Sequence, residues 1–178
     1  MITSLFISST IAILLISKNK SNGVTTAVNS SPFFSPLTDN QLFRGTDLHG
    51  SGFYGASRRN ENGTSRSHNG IDIIVSKYQT IYAPISGYIR RYSMPYSNDS
   101  RWLGLLIEGN GKHQNYEMKI WYFQPYSGIL GTNVYAGQAI GKAQDLREKY
   151  SDITPHCHVE VRYKGALIDP TSLFFKPV

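Results

Sequence analysis

Short segments of β-branched and aromatic residues make up most of the sequence, and each ends at glycine, proline or asparagine. Such residues fit the pleated surface of a sheet and the separators favour turns, so the pattern predicts strands joined by tight loops. Only residues 171–175 and 145–149 have a helical pattern. We therefore predict an all-β fold, a compact antiparallel sandwich or partly open barrel with few short helices. The predicted strands are residues 71–75, 80–83, 87–92, 103–108, 116–123, 134–142, 154–163 and 166–168.

Two short polar clusters interrupt these apolar segments, His68 to Asp72 and His156 to His158. Successive side chains of a strand alternate between faces, so His156 and His158 share a face, and His68 and Asp72 have the same parity. Four extended residues would hold the Cα atoms of His68 and Asp72 roughly 13 Å apart, which is long for ligands of one ion. We expect the intervening Asn69-Gly70 step to bend the chain and shorten this span, since both residues tolerate unusual backbone angles.

Imidazoles and one carboxylate form a ligand set that suits Zn²⁺, with a fourth position open to water. A pair of histidines on a strand is more often a surface or core feature, but three of the five histidines of the chain fall in these clusters. We therefore predict a catalytic-type zinc site formed by His68, Asp72 and one of the pair His156 and His158. The other histidine of that pair would lie beside the metal as a general base or hydrogen-bond donor.

The neighbours of these clusters carry weaker signals. Cys157 alternates to the opposite face of its strand and is predicted to be a small core residue rather than a ligand. Glu160 shares the face of the histidines, where it either orients one of them or lies at the surface. The residues Arg58, Arg59 and Arg66 precede the first cluster; an ordinary solvated loop is favoured over a role in raising the potential at the site.

The first part of the chain predicts targeting rather than fold. Residues 1–17 are largely apolar and Lys18 and Lys20 follow, which is typical of a signal-peptide core or a barely spanning helix. Residues 1–20 are thus predicted to be a signal peptide or signal anchor, 21–42 a flexible linker, and 43–178 the folded domain. We expect a secreted protein, or a membrane-anchored one if this segment is retained. Acceptor sequons at Asn29, Asn62 and Asn98 agree with a secretory route.

The charge of the chain favours anionic partners. Eighteen Lys and Arg against twelve Asp and Glu give a formal net charge of +6 at pH 7. Bacterial wall, sulfated glycans and acidic membrane all fit such a balance. The sequence has no long basic helix and no stacked-aromatic motif, so nucleic acid is not expected as a partner.

Several ordered motifs resemble the M23 (lysostaphin-type) zinc metallopeptidases. The spacing His68-x-x-x-Asp72 with His156-x-His158 is similar to the paired motif of that family. Residues 81–87 and 134–141 are similar to its fold elements. The tracts at residues 47–57, 68–72, 82–84, 119–125 and 169–171 are similar to the animal chemotaxin-2 branch of the family. The resemblance runs from about residue 44 to residue 174.

The resemblance implies a compact antiparallel β fold with one Zn²⁺ per chain in a groove. Its zinc ligands fall on His68, Asp72 and His158, and its catalytic histidine of the H-x-H motif falls on His156. Where active bacterial members carry a second catalytic histidine, this chain has Tyr122. A phenol can donate a hydrogen bond to an oxyanion, but a pKa near 10 makes it a poor base at pH 7. A core aromatic is the alternative interpretation of Tyr122.

Two functions follow from the resemblance. The chemotaxin branch implies a zinc-binding interaction or signalling protein with weak or no peptidase activity, whose ligand is a receptor, a glycan or a peptide. The bacterial members imply a zinc endopeptidase that cleaves peptidoglycan cross-bridge peptides, with His156 and Tyr122 as catalytic residues. Tyr122 favours the first function, and the intact histidine and aspartate set favours the second.

Cysteine usage separates this chain from that branch. Chemotaxin-like proteins contain disulfides, and the corresponding positions here are Thr46, Ser51 and Val75. Cys157 is the only cysteine, so no intrachain disulfide can form. We therefore expect the domain to depend on packing and bound zinc for its stability.

Overall fold

The computed structural model describes residues 33–60 and 63–175, and nearly all regular structure within these ranges is antiparallel β. The predicted all-β fold is confirmed. The strands are β1 Thr46–Asp47, β2 Gly50–Ser51, β3 Ser57–Arg59, β4 Ser65–Ser67, β5 Ile71–Ile74, β6 Thr80–Tyr82, β7 Gly87–Tyr92, β8 Gly104–Gly109, β9 Tyr116–Trp121, β10 Phe123–Pro125, β11 Asn133–Val134, β12 Ala139–Ala143, β13 His156–Tyr163 and β14 Ala166–Ile168. The helical segments are α1 Thr171–Phe174 and two single turns of 3₁₀ helix, Gly111–His113 and Leu146–Glu148.

The main sheet has seven strands, in the order β11-β7-β8-β9-β13-β14, with β5 also paired to β13. One edge of β13 pairs with β9, while its other edge pairs first with β5 and then with β14. The long strand β13 therefore links three others and fixes their register. A second sheet of three strands, β10-β12-β6, covers part of the core.

Alternation along β13 separates the core from the polar clusters. Cys157, Val159 and Val161 are fully buried in the hydrophobic core, and the side chains between them point to the other face of the sheet. Burying one such aliphatic side chain contributes about 1.5–3 kcal/mol. The core thus holds β13 in the one register that presents both histidines on the outer face.

The folded domain begins earlier than the sequence predicts. Phe34 and Leu37 are 1% and 0% exposed and belong to the main core, and the Phe34 backbone N–H donates to the carbonyl oxygen of Leu173 near the C-terminus. Residues 33–42 are therefore part of the domain, and their assignment to a linker is wrong. The Ser and Pro content of this segment obscured two apolar side chains that anchor it.

Most predicted strands are confirmed, with two interruptions. The segment predicted as residues 134–142 is divided into β11 and β12 by a turn in which Gly137 has φ +85°. The segment predicted as residues 116–123 is divided into β9 and β10 at Tyr122, which has φ +71°. The predicted helix near residue 171 is confirmed as α1, and residues 145–149 contain only a 3₁₀ turn. The small hairpins β1–β2 and β3–β4 were not predicted, because they are short and polar.

The predictions for the N-terminal segment remain predictions. Residues 1–20, most of the predicted linker and the sequons at Asn29 and Asn62 lie outside the described residues. Asn98 is exposed in the loop between β7 and β8. Within residues 33–60 and 63–175, no helix has the length and apolar character needed to cross a membrane.

Candidate metal centre and cleft

Strand register brings the two polar clusters together. In the antiparallel pair of β5 and β13, His158 lies directly opposite Asp72. Cross-strand partners have Cβ atoms about 5 Å apart, so their side chains meet on the outer face. His68 precedes β5 and reaches the same point because Gly70 lets the chain bend closely over β13. A Cβ atom at Gly70 would lie 2.1 Å from the Val159 carbonyl oxygen, so only glycine fits, as the expected bend requires.

Three potential ligand atoms converge at this point. His68 Nε2 lies 2.9 Å from His158 Nδ1 and 3.2 Å from Asp72 Oδ1, and His158 Nδ1 lies 3.0 Å from the same oxygen. All three residues are buried. Together they form a group able to hold a metal ion.

The protonation of this group fits a cation. His68 Nδ1 is 2.8 Å from the carbonyl oxygen of Phe53, which assigns the proton to that nitrogen and a lone pair to Nε2. Burial raises the pKa of Asp72, but hydrogen bonds with His158 and His68 outweigh it and hold that pKa well below its ordinary value. Two imidazole nitrogens and an ionised carboxylate then face one another, which is unfavourable unless a proton or a metal ion lies among them. The donor set therefore fits a divalent metal.

A buried arginine fixes the carboxylate. Arg44 is 2% exposed, and its Nη1 lies 2.9 Å from Asp72 Oδ2, which leaves Oδ1 for the metal group. The Arg44 Nε donates to Asp47 Oδ2 over 3.1 Å, and Asp47 accepts a second hydrogen bond from the backbone N–H of Thr154, two residues before β13 begins. This network ties the orientation of Asp72 to β1 and β13, as partners of metal ligands commonly do.

The remaining histidine lies beside the metal group. His156 Nδ1 is 2.7 Å from the Thr154 carbonyl oxygen, so Nε2 carries the lone pair; it lies 3.6 Å from Asp72 Oδ1. The ring is not a member of the three-residue group. Burial lowers the pKa of His156 to about 4, against the opposing charge of Asp72. His156 is therefore neutral at pH 7, and the lone electron pair of its Nε2 faces the metal group.

The sequence matches a known protein family over the segment that contains this site. A family model described as Peptidase family M23 matches residues 66–170, a segment that holds both polar clusters and more than half of the chain. The chain belongs to peptidase family M23. The predicted resemblance is confirmed; the family is zinc-dependent, and the His-Asp-His group is one that could hold a metal ion.

Curated relatives are chemotaxin-like. Leukocyte cell-derived chemotaxin-2 of Bos taurus is 32% identical over 131 residues, which cover 72% of this chain and 76% of the relative. Myeloid protein 1 of Gallus gallus is 32% identical over 132 residues, 72% of this chain but only 36% of that protein. The chemotaxin-2 homolog of Caenorhabditis elegans is 31% identical over 110 residues, 58% of this chain and 32% of that protein. This M23 domain is thus related to chemotaxin-2.

Solved structures share its fold. A zinc containing peptidase from Vibrio cholerae superimposes with a TM-score of 0.55 at 21% identity, over 83% of this chain and 41% of that one. A chain of the SpoIIQ-SpoIIIAH pore forming complex superimposes with a TM-score of 0.56 at 21% identity, over 84% of this chain and 95% of that one. Both matches agree with the β architecture described above.

Tyr122 lies in the cleft of this M23 domain, next to His156. The two rings meet edge to face, with centroids 5.7 Å apart and an interplanar angle of 86°. The Tyr122 hydroxyl is 3.2 Å from that of Tyr96, which is 3.1 Å from that of Tyr150. We call these three residues the tyrosine wall. Tyr122 also packs against a small apolar cluster around Trp102. Its position beside His156 agrees with a hydrogen-bond donor at the site, and its packing agrees with a core aromatic.

Acid–base properties set the tyrosine wall apart from the histidines. Burial raises the pKa of Tyr122 to about 12. Burial also raises the pKa of Tyr96, and the neighbouring phenol of Tyr122 acts in the same direction. These hydroxyls remain protonated at physiological pH, so they can donate hydrogen bonds but do not serve as bases.

Two residues hold the ring of His158. Glu160 is 9% exposed; its Oε1 lies 3.6 Å from His158 Nε2, and its Oε2 lies 3.3 Å from Lys119 Nζ. Trp121 stacks on the imidazole, with centroids 4.9 Å apart and an interplanar angle of 17°. Of the two expectations for Glu160, the surface position is wrong because the residue is buried, and its carboxylate faces His158 Nε2 beyond hydrogen-bond distance.

The arginines before His68 line the same cleft, whose volume is about 590 Å³. Arg58 Nη2 lies 3.6 Å from Asp72 Oδ2, and Arg59 and Arg66 face the cleft from the hairpin of β3 and β4. The favoured expectation of an ordinary solvated loop is wrong for Arg58, which is half-buried beside Asp72, whereas Arg59 and Arg66 are exposed. We call this hairpin, with Arg58, Arg59 and Arg66, the arginine hairpin.

The lone cysteine behaves as predicted. Cys157 is fully buried and free, and burial raises its pKa above the ordinary value of a thiol. At two positions that correspond to cysteines in chemotaxin-like proteins, Thr46 lies directly opposite Ser51 across β1 and β2. Val75, the third position, is buried.

Sequence reasoning missed four residues around the site. Arg44 and Asp47 complete the carboxylate network, and Tyr96 and Tyr150 complete the tyrosine wall. No local spacing connects these residues with the histidine clusters. The one available signal was Arg44 itself, a charged residue next to the apolar Phe43. Its burial would have predicted an acidic partner, since buried arginines are almost always paired.

Proposed function

We propose that this chain is a secreted, zinc-binding M23 domain of the chemotaxin type, whose cleft binds peptides and hydrolyses them slowly or not at all. The convergence of His68 Nε2, Asp72 Oδ1 and His158 Nδ1 within 3.2 Å is the observation that supports zinc most directly. Two nitrogens and one oxygen leave a position open to water or a ligand, and they suit zinc better than calcium or magnesium, which prefer oxygen ligands. We propose one zinc ion per chain.

Each ligand has a defined role toward that ion. His68, Asp72 and His158 would hold it, and bound zinc would supply a Lewis acid for a peptide carbonyl or a water molecule. His156 would stand beside the ion, where its neutral Nε2 can accept a proton or a hydrogen bond. The assignment of His156 outside the ligand set follows from its contact with Thr154 and its larger distance from Asp72.

Tyr122 is the main argument against efficient hydrolysis. A phenol whose pKa is about 12 cannot take up a proton at pH 7, and its hydroxyl lies within hydrogen-bond distance of Tyr96. Tyr122 therefore cannot replace the second histidine of active M23 peptidases in proton transfer. Two of the three curated relatives described above are named for chemotaxin, and none of the three is named for a peptidase, which supports a binding role toward a receptor, a glycan or a peptide.

A zinc endopeptidase acting on peptidoglycan cross-bridge peptides is the second candidate. Neutral His156 favours it, because a buried imidazole with a free nitrogen beside a metal group is poised as a general base. In this alternative Tyr122 would donate a hydrogen bond to the developing oxyanion.

One experiment separates the two candidates. The full chain, purified with its metal content measured, is incubated with peptidoglycan and with labelled Ala-Gly and Gly-rich peptides, and binding and cleavage are followed together. The binding role predicts zinc-dependent peptide binding with little or no cleavage. Efficient zinc-dependent cleavage that is lost in His156→Ala would establish the endopeptidase instead, and the absence of bound zinc would exclude both.

A further inference from the structure

The arginine hairpin contains an unusual pair of like charges. Arg58 lies directly opposite Arg66 in the antiparallel register of β3 and β4. Like charges at directly opposed positions of a ladder destabilise it. An anion near such a pair would reduce the repulsion that destabilises a short two-stranded hairpin.

Among the described residues, Arg58 has a carboxylate nearby and Arg66 does not. Arg58 donates to the carbonyl oxygen of Ser51, and its guanidinium lies 3.6 Å from Asp72. For Arg59 and Arg66, no carboxylate of residues 33–60 or 63–175 lies within 4 Å of the side-chain nitrogens. Both are exposed and both line the cleft, so their donors are available to a ligand there.

The acidic residues of the cleft are already engaged. Asp72 is bound by Arg44 and the histidines, and Glu160 lies between His158 and Lys119. The described lining contains these two carboxylates and four arginines, so the cleft carries excess positive charge even before a divalent ion is added. Positive potential in a recessed site concentrates anionic ligands.

We infer that the cleft selects peptides that carry a carboxylate side chain, and that Arg66 and Arg59 bind this carboxylate. This inference rests on the proposed function of the cleft as a peptide site. A guanidinium presents a planar fork that pairs with a carboxylate through two hydrogen bonds. A peptide suits the enclosed cleft, where the rings of the tyrosine wall offer apolar contact next to the arginines.

A second class of anionic macromolecule is less suited to this geometry. Sulfated glycans are linear and bind along open basic surfaces, whereas these arginines lie on the wall of a cleft of about 590 Å³ that also holds the metal group. Heparin-derived oligosaccharide nevertheless serves as a competitor in the test, because the two classes share their attraction to positive charge.

The test uses the full zinc-loaded chain and a set of fluorescent six-residue peptides. Each peptide is composed of Gly and Ala with a single Glu placed at one of the six positions, and each has a partner with Gln at the same place. Fluorescence anisotropy measures binding to the wild type and to Arg66→Ala, Arg66→Lys and Arg59→Ala. Arg90→Ala is the matched control, because Arg90 is an exposed arginine on β7 that pairs with Glu108 outside the cleft.

We expect at least one Glu peptide to bind about ten-fold more tightly than its Gln partner, as a charge-assisted hydrogen bond typically provides. This preference should disappear in Arg66→Ala, weaken in Arg59→Ala, survive in part in Arg66→Lys and remain unchanged in Arg90→Ala. These variants lie on the surface, and equal zinc content will show that they retain the fold.

Three results would overturn the inference. Equal zinc-dependent binding of Glu and Gln peptides would remove carboxylate selection and leave the proposed peptide site intact. A preference that persists in both Arg66→Ala and Arg59→Ala would place the carboxylate elsewhere. No peptide binding at all, with heparin bound through Arg66, would refute the proposed peptide site together with this inference and identify a glycan surface.

Discussion

The cleft joins two walls with opposite acid–base properties. On one side His68, Asp72, His156 and His158, which we call the histidine wall, combine an ionised carboxylate with imidazoles that have electron pairs to donate. On the other side, Tyr96 and Tyr122 of the tyrosine wall present hydroxyls that keep their protons, because burial raises the pKa of both. Strand register and a glycine that admits no side chain position the histidine wall. The three residues of the tyrosine wall come instead from three separate connections between regular elements. The potential metal ligands and the neutral imidazole of His156 therefore lie on one wall of this M23 domain, and hydrogen-bond donors lie on the other.

The largest expected effect is on metal content. Asp72→Ala or His158→Ala should reduce zinc affinity more than about a hundred-fold, since even hydrogen-bond partners of ligands contribute about 10–100-fold. His156→Ala should keep most of the zinc, because its ring lies outside the ligand group. Metal analysis after dialysis against a weak chelator measures the difference, and equal loss in all three variants would make His156 a ligand.

Replacing the buried arginine behind the histidine wall should destabilise the fold. Arg44→Met leaves the buried Asp72 and the half-buried Asp47 without their shared partner, which should cost about 3–5 kcal/mol of the free energy of unfolding. Urea denaturation with zinc present gives this value. Arg90→Met, at an exposed ion pair, should change stability by less than about 0.5 kcal/mol. A comparably small effect of Arg44→Met would mean that Asp72 needs no support.

Chelation tests how much of the fold depends on the histidine wall. At free zinc a hundred times above its dissociation constant, the bound ion contributes about 2.7 kcal/mol, or roughly 5–10 °C in melting temperature for a domain of this size. Removing zinc should lower the melting temperature by that amount, and a reducing agent should leave it unchanged because Cys157 is the only cysteine. Scanning calorimetry with each reagent separates the two, and a shift caused by reductant alone would contradict the buried free thiol.

Exchanging one residue of the tyrosine wall tests whether it limits catalysis. Tyr122→His should raise peptide hydrolysis by about ten-fold, part of the hundred- to thousand-fold that one positioned donor typically contributes. Tyr122→Phe, which keeps the ring and removes the hydroxyl, is the control. Cleavage of labelled Ala-Gly peptides by zinc-loaded protein measures the rate. A slower Tyr122→His enzyme with an active wild type would show that the phenol itself is the catalytic donor.

The smallest effect concerns a histidine that belongs to neither wall. His113 is fully buried, and its Nδ1 accepts a hydrogen bond of 2.9 Å from the Ser86 backbone N–H. Burial lowers its pKa, and the charge of Lys112 acts in the same direction. The unfolded chain therefore binds this proton more readily, so stability should fall as the pH drops below about 6.5.

This contribution can be measured apart from the metal. In chelator, the loss of stability between pH 7 and pH 5 should be larger in the wild type than in His113→Gln, which cannot be protonated in this range. Equal losses would show that His113 does not contribute to the acid response of the domain.

The two walls also differ in how far sequence predicts them. Alternation along a strand, the ligand chemistry of imidazole and carboxylate, and the presence of three of the five histidines in these clusters predicted that they would meet, although the span from His68 to Asp72 required a bend. Family resemblance added the choice between His156 and His158. Arg44, Tyr96 and Tyr150 could not be predicted, because they reach the site from separate segments and their proximity exists only after folding.

The start of the domain shows the same limit. Local composition made residues 33–42 a linker, yet Phe34 and Leu37 fill the core. A segment of mixed composition is ordered by what its few apolar residues find in the rest of the chain. Tertiary packing of this kind leaves no periodic trace in the sequence.

Because side chains alternate along β13, the proposed zinc site can form only when this strand has its native register. A slip of this strand by one residue would turn Cys157, Val159 and Val161 outward and bury both histidines in the core. A wrongly registered chain would thus lose its hydrophobic packing and its metal group in one step. The proposed zinc ion would therefore bind only to the native strand register, and in a chain with a single cysteine its uptake would distinguish native molecules from misfolded ones.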